Sequence, residues 1–194
     1  MKTVFYCLFL LIPILAFSQK TEINNFSLKN VDGKMVSLSD YPEAKGFIVI
    51  FTCNHCPFAK LYPERLNKLN DAYKNLGVPL IAISSMDTIS YEEDTYIKMI
   101  QKAKKENFEF PYLYDANQSI AKLFEAQKTP HAFVIWRNNN HFEIKYSGAI
   151  DDNGMHPKQV KNEYIRLAVD ELLQGKSVSI NETLTIGCQI YFRK

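Results

Sequence analysis

Hydrophobic and polar positions alternate in FSLKNVDGKMVSL, on both sides of Asp32-Gly33. A period of two marks a half-buried strand, and an Asp-Gly pair between two such runs marks a hairpin. GFIVIFT, Gly46 to Thr52, is instead apolar without interruption and rich in β-branched residues, the pattern of a strand covered on both faces. PLIAISS, Pro79 to Ser85, repeats it. Between these runs Leu66, Leu69, Tyr73 and Leu76 fall at helical spacing, with Gly77 as a stop. Pro63 has no backbone N–H to donate and is expected to kink or restart that helix.

Farther on, Ser90 and Glu93 have the spacing of a capping box ahead of a helix reaching about Lys105. Asp115 with Gln118 repeats the device before the shorter helix IAKLF. HAFVIW (His131 to Trp136) and FEIKYSG (Phe142 to Gly148), separated by RNNNH, predict an antiparallel pair. Val160, Tyr164, Leu167, Ala168 and Leu172 predict a last helix closed by Gly175. The resulting order is hairpin, β, α, β, α, short α, β, β, α and a tail. It predicts an α/β sandwich around a central mixed sheet. No repeat, low-complexity tract or linker divides the chain.

The chain is 194 residues long with 46% hydrophobic and 13% aromatic residues, enough apolar material for one core. The opening MKTVFYCLFLLIPILAFSQ has one lysine, an apolar run too short for a comfortable membrane span, and Ala16-Phe17-Ser18 at its end. Residues 1–18 are therefore expected to be a cleaved secretory signal, and residues 19–194 a single exported domain, periplasmic or extracellular. Cleavage removes Lys2 and lowers the formal net charge of +2 by one. So small a charge argues against nucleic acid or a membrane surface as partner. KAKK (Lys102 to Lys105) and YEEDTY (Tyr91 to Tyr96) are expected to be solvated helix faces. Cys7 leaves with the signal, so Cys53, Cys56 and Cys188 remain, in a compartment that favours disulfides.

The candidate chemistry is in FTCNHCPFAK, where Cys53 ends a predicted buried strand and Cys56 lies one turn into the following helix. Disulfide exchange needs one thiolate that attacks and a second thiol close enough to resolve the mixed disulfide. Unpaired N–H groups at a helix start favour an anion, and Pro57 costs little there. Cys53 is expected to be the exposed, attacking thiol and Cys56 the buried, resolving one. His55 can donate to a Cys53 thiolate or place positive charge beside it. Glu64 is too far along the helix to act as a proton shuttle.

The pair CNHC, together with Thr129-Pro130 immediately before HAFVIW, resembles the thioredoxin-like superfamily. The resemblance implies a three-layer α/β/α sandwich in which Pro130 is cis and faces the disulfide, while the backbone of Thr129 contacts an extended substrate. A closer resemblance is to bacterial peroxiredoxin-like (AhpC/TSA-type) redoxins. It rests on NFSLKNVDGKMVSLSDY, FTCNHCPFAK, KTPHAFVIW, YSGAIDD and IGCQIYF, in that order. It implies a thiol-disulfide oxidoreductase whose only redox group is the Cys53-Cys56 couple, with no further cofactor. The implied partners are protein or low-molecular-weight thiols and disulfides, and a separate redox partner. Lys128 stands where such proteins can carry another cysteine.

Two other chemistries are open at this stage. Peroxide reduction fits Cys56-Pro57, but Cys53 occupies the position of the threonine that holds peroxide in peroxiredoxins, and Arg137 falls at a strand end. Copper or zinc carriage would use Cys53, Cys56, His55 and His131, all soft or borderline ligands. His141 and His156 fall in predicted loops. Cys188, in TIGCQIYF, is either a small buried side chain or a third thiol reaching the cysteine pair.

Overall fold

The computed structural model describes residues 22–193. The expected signal, with Cys7, lies outside the described residues. The strands are β1 (Glu22–Ile23), β2 (Ser27–Asn30), β3 (Met35–Ser37), β4 (Gly46–Phe51), β5 (Leu80–Ser84), β6 (Tyr112–Tyr114), β7 (Lys128–Thr129), β8 (His131–Asn138), β9 (His141–Gly148) and β10 (Cys188–Gln189). The helices are α1 (Pro63–Tyr73), α2 (Tyr96–Lys105), α3 (Ser119–Leu123) and α4 (Tyr164–Leu173). An eight-stranded mixed sheet runs in the order β1-β9-β8-β4-β5-β6-β2-β3, and β10 pairs separately with β7.

β4 is central because every residue in it is apolar and buried. It pairs parallel with β5 and antiparallel with β8, in register from Gly46 opposite Trp136 to Phe51 opposite His131. Alternation then assigns its side chains to two cores. Phe47, Val49 and Phe51 join Ile83, Phe133, Phe124 of the α3 end, and both cysteines of the pair. Ile48 and Ile50 pack on the opposite face against Leu66 and Leu69 of α1, Met99 of α2 and Ile165 of α4. This is the three-layer, thioredoxin-like α/β/α sandwich, with the predicted hairpin β2-β3 at one edge.

Two strands of the sheet are absent from the predicted order: the two-residue β1, which pairs antiparallel with β9, and β6. Tyr112–Tyr114 is only three residues long, below the length at which a period can be read, yet it carries the hairpin on the sheet through β2 and pairs parallel with β5. The predicted capping box at Ser90 and Glu93 does not form. Ser90 Oγ bonds Asp87 instead, and α2 starts at Tyr96, after Thr95. Before α3, Asp115 does hold the helix start, its carboxylate accepting from the N–H groups of Ile120 and Ala121. Gln118 has turned away, to the carbonyls of Ser85 and Tyr191.

Pro63 restarts the chain as expected, standing at the first position of α1. The helix predicted to contain Cys56 therefore does not reach it. Residues 57–62 make a turn and a short 3-10 segment, Ala59–Leu61, because Pro63 has no N–H to carry the hydrogen-bond ladder backwards.

Candidate active site

The cysteine pair lies in the turn between β4 and the 3-10 segment, below the loop joining β7 to β8. The Thr129-Pro130 peptide bond is cis. Cys53 Sγ is 3.1 Å from Thr129 Oγ1, and Cys56 Sγ is 3.1 Å from the Thr129 carbonyl, to which its thiol donates. One residue thus touches both sulfurs, through its side chain and its backbone. Both cysteines are fully buried and not joined in a disulfide, so the expected contrast between an exposed Cys53 and a buried Cys56 is absent.

Their surroundings separate their ionisation. A hydrogen bond with Cys56 raises the Cys53 thiol most, and burial and the Asp94 carboxylate raise it further. The Cys56 thiol is lowered to about 4, first by the hydrogen bond from Cys53, then by that from Cys188 and by the backbone N–H groups of Ala59 and Cys188. The negative charge of the reduced pair therefore rests on Cys56. The helix-start reasoning had assigned easier ionisation to Cys53. It fails because α1 begins only at Pro63 and because the hydrogen bond with Cys56, burial and then the Asp94 carboxylate all raise the Cys53 thiol.

Asp94 organises the loop between the cysteines. Its Oδ1 accepts from the N–H of Asn54 at 2.5 Å, and its Oδ2 pairs with Nδ1 of His55. The His55 ring stacks on Tyr91, with centroids 4.0 Å apart and planes 7° from parallel. His55 is thus bonded to Asp94 rather than to the Cys53 sulfur as expected. Asn54 is held further by the Glu93 carbonyl at 2.6 Å and by the Tyr112 hydroxyl at 3.0 Å. Lys102 donates to the Cys53 carbonyl at 2.7 Å, and burial lowers its pKa. YEEDTY and KAKK are therefore not simply solvated faces, since Asp94 from the first and Lys102 from the second turn into the site.

Asp94, Lys102, Asn54 and Tyr112 were not legible as site residues in the sequence. Only the placement of Asp94 within YEEDTY, with apolar Ile97 and Met99 beyond it, could have hinted at an inward turn. Its partners lie about 40 positions back along the chain.

His131 lies in β8, where Nδ1 accepts from the Gln127 N–H and Nε2 faces Ser147 Oγ at 3.0 Å. Burial, and then Lys128, lowers its pKa to about 4, so the ring is neutral. It lines a concavity of about 1000 Å³ together with Phe133, Ser147, Thr183 and Thr185, and none of the cysteines lines that space. His141 lies beside Glu22 and Glu143, and His156 is exposed. Glu64 pairs with Lys68 on the surface. Arg137 donates to the carbonyls of Ala44 and Tyr41, and Arg65 binds Asp151 and Gly154. Neither arginine points its bonds at sulfur.

Among the described residues, the group whose ligand atoms could meet a metal ion is Cys53, His55 and Asp94, all within 4.8 Å of one another, rather than the cysteine pair with His131. Each of these atoms already has a protein partner, in Thr129, Asp94, and Asn54 with His55 respectively. A metal would have to break those bonds to enter.

A strand-to-turn cysteine pair facing a cis-proline on this sheet defines a thioredoxin-like oxidoreductase of the thiol-disulfide class. The chain belongs to the AhpC/TSA family, whose model matches residues 20–152. It is similar to two solved structures, a hypothetical protein from Sinorhizobium meliloti 1021 and an uncharacterized conserved protein from Geobacillus kaustophilus. The first has 32% identity and a TM-score of 0.81, covering 90% of this chain and 94% of that one. The second has 35% identity and a TM-score of 0.81, covering 90% and 92%. It is also similar to the thiol-disulfide oxidoreductase ResA of Bacillus thuringiensis subsp. konkukian, 24% identical over 153 residues that make up 79% of this chain and 75% of the relative.

Proposed function

We propose that this protein, exported after loss of residues 1–18, exchanges disulfides with protein or small thiols through Cys53 and Cys56, with no cofactor beyond that couple. The observation that carries this reading is the placement of both sulfurs against Thr129 beside cis-Pro130. In the oxidised couple an incoming thiolate attacks the Cys53 sulfur. Cys56 leaves as the thiolate that its donors stabilise, and a low thiol pKa makes a good leaving group. The mixed disulfide then sits on Cys53. In the reverse direction the Cys56 thiolate attacks that sulfur and releases the substrate. When the reduced couple attacks a disulfide, Cys53 must first lose its proton, and Asp94, with its ligand atom within 4.8 Å, is the nearby carboxylate that can take it.

Because charge on Cys56 stabilises the reduced couple, its potential is expected to lie above the roughly −270 mV of thioredoxin. The test combines glutathione equilibration with single cysteine variants. Cys53→Ser should abolish turnover of a model disulfide, and Cys56→Ser should accumulate substrate on Cys53. Retained turnover in Cys53→Ser would reject the mechanism, and a substrate adduct trapped on Cys56 would reverse the two roles.

Peroxide reduction at Cys56 is the second reading, favoured by its lowered thiol and by the family. It calls for rapid, saturable peroxide consumption and a sulfenic acid at Cys56. The burial of Cys56 and the positions of Arg65 and Arg137 weigh against it.

A further inference from the structure

The tail ends on the cysteine pair. β10 pairs antiparallel with β7, with Cys188 opposite Thr129 and Gln189 opposite Lys128. Thr129 is the residue that touches both Cys53 and Cys56, so the register delivers a third cysteine to the same point. Cys188 packs against the core cluster that holds Cys53 and Cys56, and its thiol and backbone N–H are among the groups that lower the Cys56 thiol.

The approach depends on the residue before Cys188. A Cβ on Gly187 would lie 2.1 Å from the Thr129 carbonyl oxygen, so any larger residue would lift the strand. Beyond Cys188 the tail is anchored. Ile190 is buried and donates to the Gln127 carbonyl at 2.8 Å, while Gln118 holds the Tyr191 carbonyl and the Arg193 N–H. Before it, Leu184 and Ile186 are exposed. Gly187 thus lets the strand lie against the Thr129-Pro130 backbone, where the Thr129 carbonyl and side chain touch the two sulfurs.

We propose that Cys188 is a third redox-active thiol that exchanges directly with Cys56, held in place by strand β10. This rests on the Cys53-Cys56 couple being redox-active. In the oxidised protein the Cys188 thiolate attacks Cys56 Sγ, the Cys56-Cys188 bond forms, and the Cys53-Cys56 bond breaks. Cys53 leaves as the thiolate and takes up the proton that Cys188 released. One disulfide replaces another, and no oxidant or reductant is consumed. Burial and the neighbouring Cys56 raise the Cys188 thiol to about 12, and Cys53 is raised as well, so the proton has a receptive destination. The product fastens β10 over Thr129 and leaves Cys53 as a lone thiol. Formation and reversal of this bond would lock and release β10, which pairs with β7 beside Pro130.

The test maps disulfides in the purified full chain after equilibration with oxidised glutathione, acid quenching, alkylation and peptide mass analysis. Cys53→Ser should convert to a Cys56-Cys188 disulfide, with both thiols lost. Adding Gly187→Ala should slow that conversion by about tenfold or more, since small displacements of reacting groups are felt strongly. The wild type should yield both disulfide isomers. A Cys53→Ser protein that keeps glutathione on Cys56 and a free Cys188 overturns the proposal. So does a wild type that turns over model disulfides without ever forming the Cys56-Cys188 bond, and in that case disulfide exchange by the couple still stands. A wild type that turns over no disulfide at all removes both readings.

Discussion

Cys56 is the residue on which the site's electrostatics converge. Its thiol is lowered to about 4 by donors from Cys53, Cys188 and Ala59, whereas the unfolded thiol keeps its ordinary value near 9. A depressed folded pKa means that between these values the unfolded state binds the extra proton, so stability rises with pH. The contribution is complete above about 9 and is lost as pH falls through about 4. Reduced wild type should accordingly lose stability relative to Cys56→Ala as pH is lowered across that window. Urea titrations at several pH values, with thiolate absorbance followed in parallel, check this. A difference that does not change with pH would show that Cys56 carries no charge in the folded protein.

At the scale of the element, β4 positions the pair, and its start is governed by a close approach to β8. A Cβ on Gly46 would lie 2.4 Å from the Ile135 carbonyl oxygen and 2.5 Å from the Trp136 ring. Neither a strand backbone nor a packed indole yields easily. Gly46→Ala is therefore expected to cost about 1–3 kcal/mol, as overpacking does, read as a lower urea midpoint with an unchanged slope. The same strand shows how sequence becomes site. The uninterrupted GFIVIFT run places β4 between two cores, and the chain must then leave the sheet at Thr52. Pro63 prevents the α1 ladder from extending back to Cys56, which leaves the cysteines in a turn whose free N–H groups can face sulfur.

On the scale of the whole molecule, the site joins segments far apart in sequence: the β4 end, the loop before α2, the β7-β8 loop and the tail. Among the described residues no helix is long and apolar enough to cross a membrane. Because the proposed couple carries electrons on its own sulfurs, dialysis against a strong chelator should leave disulfide exchange and far-UV circular dichroism unchanged. Loss of exchange that is restored by added zinc or copper would instead assign Cys53, His55 and Asp94 to a metal. The long periodic runs were legible from sequence, and so were the CNHC pair and Thr129-Pro130, because each is carried by neighbouring residues. The three-residue strand Tyr112–Tyr114 was too short to show a period, and Ser90 with Glu93 had the spacing of a cap but found other partners. By itself, then, the sequence determined the α/β order, the two-faced central strands and the cysteine pair, since burial on a strand or helix follows from a local repeat. Only the tertiary structure decided that Asp94 and Lys102 turn inward, that His55 faces Asp94, that Cys56 carries the charge, and that Cys188 lies on Thr129. Those outcomes depend on contacts between segments tens of residues apart, where a buried polar group is settled by whichever partner the fold brings to it.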